Sequence, residues 1–289
     1  MNRFLWVGAL LVSVGVTAFG SPFYSFGPET TSSNFYPIRY TTFDESGPAS
    51  VTTVKDIGTG SIFFNGGLVY RSSNNLFYAI GNDSNNAATL YSLDNLGNNL
   101  NAIHSLTAGV LWLSGLTFDT MDSTLYAIGA DPNTGSPSLY QVGAGGATLV
   151  GSIDNGLGPY SGLAYDWDKD RLYAISNVGP DDFLYSFTNG ATSVTSLFSL
   201  GAGTGFSDLG GLAYAGKDVF YTIRSTGSGA EANLIRINLG AGSTTTLYDM
   251  GVAGFVNHGL AASVPEPATL LLIGGGLALI GLLARRKSR

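Results

Sequence analysis

The sequence predicts an all-β fold, and three observations lead to that prediction. A Gly-Leu pair recurs at positions 67, 115, 162, 211 and 259, which lie 48, 47, 49 and 48 residues apart. Short runs rich in aromatic and β-branched residues follow the first four pairs, and Gly, Asn, Ser and Asp separate these runs. That composition is typical of strands joined by turns. No stretch between the two termini has the 3.6-residue periodicity of an amphipathic helix.

Each full repeat supplies four strands, which in the third repeat are residues 163–166, 172–175, 183–187 and 194–200. Four strands in a repeat of this length are typical of one β-propeller blade. One further strand, 260–263, remains at the C-terminal end, and residues 23–27, 35–41 and 50–57 supply three strands at the N-terminal end. We therefore expect five four-stranded blades, one of them shared by the two terminal segments, so that the ring has no exposed edge. The alternatives are a six-bladed ring with one degenerate blade and a β-sandwich.

The repeated phrase Gly-Leu-x-Tyr-Asp followed by Leu-Tyr-Ala-Ile, seen over residues 162–175, resembles repeats of bacterial extracytoplasmic propellers of the YVTN-like and quinoprotein-like kind. The resemblance lies at the level of the fold and carries no catalytic residues across. The many glycines are interpreted as turn residues.

Composition and charge limit the classes of function. The chain has no Cys, which excludes a disulfide framework and thiolate chemistry. Residues 21–264 contain 8 Lys and Arg against 19 Asp and Glu, a net charge of −11. Such a surface repels phosphate backbones, so no nucleic-acid partner is expected. It attracts cations, although solubility outside the cell is the simpler interpretation.

The N-terminus has the order of a secretory signal. Arg3 precedes an uncharged apolar run over residues 4–19, and small residues stand at Ala18 and Gly20. We expect residues 1–20 to be a signal peptide, recognised by the export machinery and cleaved by signal peptidase after Gly20. An uncleaved membrane anchor is the alternative. The propeller domain is then expected over residues 21–263.

The C-terminus, residues 264–289, has three parts. Its first part is a stiff polar hinge, because two prolines fix the backbone and disfavour a preceding helix. Residues 268–284 are 17 residues without a charge, near the lower limit for a single transmembrane helix. A basic end follows, which is expected to stay on the cytoplasmic side and to place the body on the other side. The hinge consists of Val264, Pro265, Glu266 and Pro267, and the basic end contains Arg285, Arg286, Lys287 and Arg289.

This order of hinge, apolar helix and basic cluster resembles the PEP-CTERM sorting signal of Gram-negative bacteria. The resemblance implies that a membrane protease-transpeptidase, exosortase, recognises the motif and removes the anchor. It also implies a link to extracellular polysaccharide and biofilm matrix. Membrane anchoring would then be transient, and the processed protein would lie at the cell surface or outside the cell. The resemblance indicates how the protein is routed and says nothing about the activity of the body.

A large aromatic residue precedes each Gly-Leu pair. The five residues are Phe64, Trp112, Tyr160, Phe206 and Phe255. In a propeller this link enters the innermost strand, so the five side chains are expected around one mouth of the central channel. Exposed aromatic rings there would stack on the apolar faces of sugars and form a glycan-binding face. The alternative is that these rings wedge between blades as part of the core.

An acidic cluster at Asp166, Asp168 and Asp170 is the candidate cation site, because alternating carboxylates on a tight loop can gather oxygens around Ca²⁺. The alternative is an ordinary hairpin turn, in which Asp bonds to nearby backbone N–H groups. His104 and His258 are the only histidines, and neither belongs to a zinc motif.

No catalytic residue and no cofactor other than Ca²⁺ is predicted, because the chain has no Gly-x-Ser-x-Gly turn, no Walker loop and no complete dinucleotide-binding motif. We expect a non-enzymatic exported propeller that binds a glycan or a protein. The alternative is an extracytoplasmic enzyme of lactonase-like or quinoprotein-like type. Such an enzyme would gather Asp, Glu, Asn, His or Arg side chains at the channel mouth.

Overall fold

A computed structural model describes residues 22–28, 38–57, 64, 67–82, 87–106, 111–131, 133–153, 160–178, 181–191, 193–202, 211–225, 232–250 and 259–262. These residues form strands joined by turns and one short 3-10 helix, Pro48–Ser50. In chain order the strands are β1 (Phe23–Pro28), β2 (Ile38–Phe43), β3 (Thr52–Ile57), β4 (Leu68–Arg71), β5 (Leu76–Asn82), β6 (Ala88–Leu93), β7 (Asn101–Ser105), β8 (Leu111–Asp119), β9 (Thr124–Ala130), β10 (Pro137–Gly143), β11 (Gly146–Ser152), β12 (Tyr160–Asp166), β13 (Arg171–Val178), β14 (Asp181–Phe187), β15 (Val194–Ala202), β16 (Leu212–Gly216), β17 (Val219–Ser225), β18 (Ala232–Asn238), β19 (Ser243–Asp249) and β20 (Gly259–Ala262).

The strands of the described residues form five four-stranded antiparallel sheets, which are the five blades of a propeller. The first blade has the order β20-β1-β2-β3 and is therefore built from both ends of the described chain. Its closing strand β20 pairs antiparallel with β1, with Phe23 opposite Ala262 and Phe26 opposite Gly259. The other four blades are β4–β7, β8–β11, β12–β15 and β16–β19. The predicted five blades and the shared first blade are both confirmed.

The innermost strands β20, β4, β8, β12 and β16 contact one another in a ring. Each of them carries the leucine of a Gly-Leu pair, and all five run in the same sense from that leucine; β8 and β12 begin a few residues before the pair. We call the end of the ring where the innermost strands begin the entry end. The opposite end, with the turns at residues 72–75, 120–123, 167–170 and 217–218, is the hairpin end.

The hydrophobic core of the described residues consists of five clusters, each between two neighbouring blades. Aromatic pairs join the blades across these clusters. Tyr24 of the first blade packs on Phe77 of the second with ring centroids 4.6 Å apart. Tyr173 of the fourth blade packs on Phe220 of the fifth at 4.7 Å. Each blade is therefore stabilised mainly by its two neighbours, as expected where one sheet face packs on the next.

The glycines of the Gly-Leu pairs are not turn residues, and this corrects the sequence interpretation. A Cβ added to Gly67 would overlap the backbone N of Leu116 and lie 2.9 Å from its Cα, in the next blade. The same overlap arises between Gly211 and Leu260, and a Cβ on Gly259 would lie 2.7 Å from the N of Leu68. Glycine is needed at these points because the innermost strands approach too closely for a side chain.

Several sequence predictions lie outside the described residues. The signal peptide at 1–20 and the sorting tail at 264–289 are among them. Within the part of the chain that the structure describes, no helix combines the length and the apolarity needed to cross a bilayer.

Candidate functional site: an aromatic-rimmed central cavity

A cavity of about 70 Å³ lies on the propeller axis between the five innermost strands. Its floor, towards the entry end, is formed by the five leucines of the Gly-Leu pairs. Its rim, towards the hairpin end, is formed by the residue two positions after each leucine, because alternate residues of a strand share a face. The floor comprises Leu68, Leu116, Leu163, Leu212 and Leu260, and the rim comprises Tyr70, Phe118, Tyr165, Tyr214 and Ala262.

The tyrosine hydroxyls of the rim donate hydrogen bonds to the first turns of the blades. Tyr70 Oη donates to Asn75 Oδ1 at 2.8 Å, and Tyr165 Oη donates to Asp170 Oδ1 at 2.9 Å. Tyr214 Oη donates to Asp168 Oδ2 at 2.6 Å, which links the fifth blade to the fourth. These bonds fix the orientation of the rings around the mouth.

Burial raises the pKa of Tyr165 and of Tyr214, and their hydrogen bonds to aspartates raise it further. The neutral phenol is favoured because an anionic oxygen would be desolvated and would face a carboxylate. Both hydroxyls therefore remain neutral donors well above physiological pH, and neither is suited to act as a general base.

Two further groups complete the mouth. Trp167 is half-buried in the turn after β12, lines the cavity and packs edge-on against Tyr214 with centroids 4.5 Å apart. Thr120 also lines it, and its Oγ1 is buried without a hydrogen-bond partner among the described residues. The cavity has room for a few water molecules, and its mouth offers aromatic edges and one hydroxyl without a partner. These features suit the binding of an uncharged polar group that has an apolar face.

The predicted calcium ligands lie in the turn between β12 and β13, where each carboxylate has its own protein partner. Asp166 Oδ1 accepts the N–H groups of Asp168 at 2.9 Å and of Lys169 at 3.3 Å. Asp168 and Asp170 accept the two tyrosine hydroxyls described above. Asp119 makes the same turn one blade earlier, accepting the N–H of Met121 at 2.8 Å. These hydrogen bonds favour the turn interpretation. The described residues contain no group of three His, Cys, Asp or Glu side chains arranged to hold a metal.

The aromatic residues that precede the Gly-Leu pairs are only partly described. Phe64 is 3% exposed and stacks on Phe26 of the first blade with centroids 5.0 Å apart. The prediction that Phe64 faces a ligand is therefore wrong, because its ring fills the core between the first two blades. Trp112 and Tyr160 lie in β8 and β12, before the glycines, but their side chains are outside the description. Phe206 and Phe255 lie outside the described residues altogether.

Sequence reasoning missed the rim, although the repeat contains its signal. The rim residues occupy one column of the repeat, two positions after the leucine, and four of the five are aromatic. His104 is half-buried in the outermost strand β7 of the second blade, away from the cavity, and His258 is outside the described residues.

Comparison with protein families identifies residues 263–287 as a PEP-CTERM protein-sorting motif. This confirms the resemblance of the C-terminal segment to that signal. The motif implies an exported protein that is processed at the membrane, and the folded body that it follows is a propeller. No curated protein matches the chain.

Comparison with solved structures finds chains similar to this one. One, from a crystal structure of a nidogen/laminin complex, has 10% sequence identity, covers 85% of this chain and 99% of its own, and has a TM-score of 0.55. TolB from Acinetobacter baumannii has 16% identity, covers 78% and 52%, and has a TM-score of 0.48. An oligogalacturonate lyase in complex with manganese has 15% identity, covers 74% and 61%, and has a TM-score of 0.43. At 10% identity the likeness to the chain from the nidogen/laminin complex concerns the fold alone.

Proposed function

We propose that this chain is an exported propeller that its tail holds transiently at the membrane, and that it then acts as a non-enzymatic binding module. In this proposal an exosortase removes the tail, and the propeller is left at the cell surface or in the extracellular matrix. The observation that carries the proposal is the sorting motif at 263–287, which directly follows the strand that closes the ring. The whole folded body then lies on the exported side.

The ligand that we propose is an extracellular polysaccharide, bound at the hairpin end of the central cavity. Tyr70 and Trp167 are half-buried at the mouth, so part of each ring is open to solvent. Aromatic faces bury the apolar C–H faces of sugar rings, and neutral hydroxyls at the rim can bond to sugar hydroxyls. The aliphatic floor adds apolar surface without an ionisable group.

The test begins with the secreted form of the protein. Its intact mass is expected to lack residues 268–289, and a secreted form that retains them would contradict processing. Binding of this form to a glycan array and to extracellular polysaccharide of the producing cell is then measured. Replacing Trp167 by Ala is expected to weaken binding about tenfold, because losing one aromatic contact removes roughly 1.5 kcal/mol.

Trp112→Ala is the matched control, since Trp112 is the same residue type at a position near the start of β8, at the entry end of the ring. Loss of binding in Trp112→Ala alone would move the site to the predicted entry mouth. Absence of glycan binding by the unaltered protein would overturn the glycan proposal. Turnover of a lactone, or quinone-dependent oxidation, would instead support the enzymatic alternative.

A further inference from the structure

We infer that the ligand bound at the hairpin end carries a carboxylate, and that Arg71 and Thr120 hold this carboxylate at the edge of the mouth. The ligand is then an acidic polysaccharide that contains uronic acid units. The inference rests on the proposed function, because it takes a polysaccharide to bind at this mouth. It adds the chemical class of that polysaccharide.

Arg71 lies beside the mouth, in the gap between the second and third blades. It is the last residue of β4, and it directly follows the rim residue Tyr70. Its guanidinium lies over the ring of Phe118, the rim residue of the third blade, with Cζ 4.7 Å from the ring centroid. Because a cation is attracted to the face of an aromatic ring, this contact holds the guanidinium in place before a ligand arrives.

The guanidinium has no acceptor among the described residues. The side chain is half-buried, its Nε is enclosed without a hydrogen-bond partner, and it forms no ion pair with the described part of the chain. Asp119, at the end of β8, is already engaged. Its Oδ1 accepts the N–H groups of Met121 and Asp122, and its Oδ2 accepts the side-chain amide of Asn189. A partly buried cation without an anion has lost hydration that nothing replaces, so an anionic ligand would stabilise it.

The repeat indicates that Arg71 is not needed for the turn that follows it. At the equivalent position the third and fourth blades have Asp119 and Asp166, which are fully buried and accept N–H groups of their own turns. The turn of the second blade closes through a backbone hydrogen bond instead, from Asn75 N to Ser72 O at 3.3 Å. A cation that replaces a turn-forming carboxylate and bonds to nothing in its turn favours a role in binding.

Thr120 offers a second donor at the same edge of the mouth. It lies two residues after Phe118 and lines the cavity, and its Oγ1 has no hydrogen-bond partner among the described residues. A guanidinium presents parallel N–H groups in its plane, and a hydroxyl adds one O–H donor. A carboxylate has two oxygens with about four lone-pair sites, so it can accept from both side chains at once.

A uronic acid unit matches both parts of the mouth. Its ring offers an apolar C–H face to the half-buried rings of Tyr70 and Trp167, while its carboxylate lies at Arg71. The uncharged part of the ligand then faces the cavity, and the charged group stays at the edge. The net charge of −11 over residues 21–264 opposes this binding only weakly, because salt at physiological ionic strength screens charges beyond about 8 Å.

The test compares one polysaccharide in two chemical forms. Binding of the secreted protein to the extracellular polysaccharide of the producing cell is measured before and after the carboxylates of that polysaccharide are reduced to neutral alcohols. We expect reduction to weaken binding about tenfold, because the charge-assisted hydrogen bonds are lost. Sulfate and phosphate esters survive the reduction, so a ligand that is acidic through either ester would bind equally in both forms.

Arg71→Gln is expected to bind the unreduced polysaccharide about tenfold more weakly than the unaltered protein, and to bind both forms equally. The matched control is Arg171→Gln, which makes the same change of charge at an exposed position at the start of β13, also at the hairpin end. That control is expected to keep the preference for the unreduced form.

Thr120→Val separates binding from folding. It removes a hydroxyl that has no partner among the described residues, so the melting temperature is expected not to fall, while binding of the unreduced form weakens about threefold. Equal binding of both forms by the unaltered protein would overturn the inference and leave the proposed function standing. Binding of neither form would overturn both. A preference that is unchanged in Arg71→Gln and in Thr120→Val would overturn the assignment of these two residues.

Discussion

Gly67 illustrates how a single residue determines the diameter of the ring. Its Cα lies against the backbone of Leu116 in the next blade, where any side chain would overlap main-chain atoms. Gly115 makes the same approach to Leu163, with an added Cβ 2.8 Å from the Cβ of that leucine. Backbone atoms cannot move aside without shifting a whole strand, so the contact is intolerant of substitution.

We therefore expect Gly67→Ala to destabilise the protein by about 1–3 kcal/mol or more through overpacking of the innermost strands. The matched control is Gly145→Ala in the exposed turn between β10 and β11, where nothing lies within 4 Å of an added Cβ. That variant is expected to change stability by less than about 0.5 kcal/mol. The free energy of unfolding of both variants is measured with urea. Equal values for the two would contradict the proposed role of the glycines.

The closing strand β20 is the element on which the ring depends. It consists of four residues, yet it supplies Leu260 to the core between the fifth and first blades and Ala261 to the core between the first and second. It also pairs with β1 and removes the free edge that β1 would otherwise present. Free edges of this kind promote association between molecules.

A form that ends at residue 258 is expected to lose cooperative unfolding or to aggregate, because β1 becomes an exposed edge and two cores lose their apolar contacts. A form that ends at residue 263 keeps β20 and is expected to unfold as the tail-cleaved protein does. Size-exclusion chromatography and thermal unfolding compare the two forms. If the shorter form were monomeric and equally stable, closure by β20 would not be needed.

At the scale of the whole molecule, buried tyrosines connect stability to alkaline pH. Burial, followed by repulsion from Asp166, raises the pKa of Tyr173 to about 12, and burial also raises the pKa of Tyr165 and of Tyr214 from the ordinary value of 10.0. Above pH 10 the unfolded chain releases protons that the folded protein retains. Stability is therefore complete below about pH 10 and decreases as the pH rises towards and beyond 12.

We expect the melting temperature to fall increasingly steeply above about pH 10, and Tyr214→Phe to make this decline shallower. At neutral pH that variant is expected to be somewhat less stable, since it loses the hydrogen bond to Asp168. Thermal unfolding followed from pH 8 to 12 separates the two effects. A decline of unchanged steepness in Tyr214→Phe would show that this tyrosine does not contribute to it.

The architecture was predictable because the length of the repeat and its number of strands can be read directly from the sequence. Gly-Leu pairs about 48 residues apart, with one strand left at the C-terminal end and three at the N-terminal end, favour five blades and a shared first blade over the six-bladed ring and the β-sandwich. The site was less predictable. The burial of Phe64 depends on which ring of the neighbouring blade meets it, and no spacing within one blade contains that information.

The sequence by itself determined the four-stranded repeat and the sorting motif, and it favoured five blades with a shared first blade, because each depends on local pattern or on order along the chain. The tertiary structure alone decided where the functional surface lies. Packing five blades around one axis brings Tyr70, Phe118, Tyr165 and Tyr214 together from positions up to 144 residues apart, and it places Ala262 beside them. Their proximity is a property of the closed ring, since no blade contributes more than one residue to the rim.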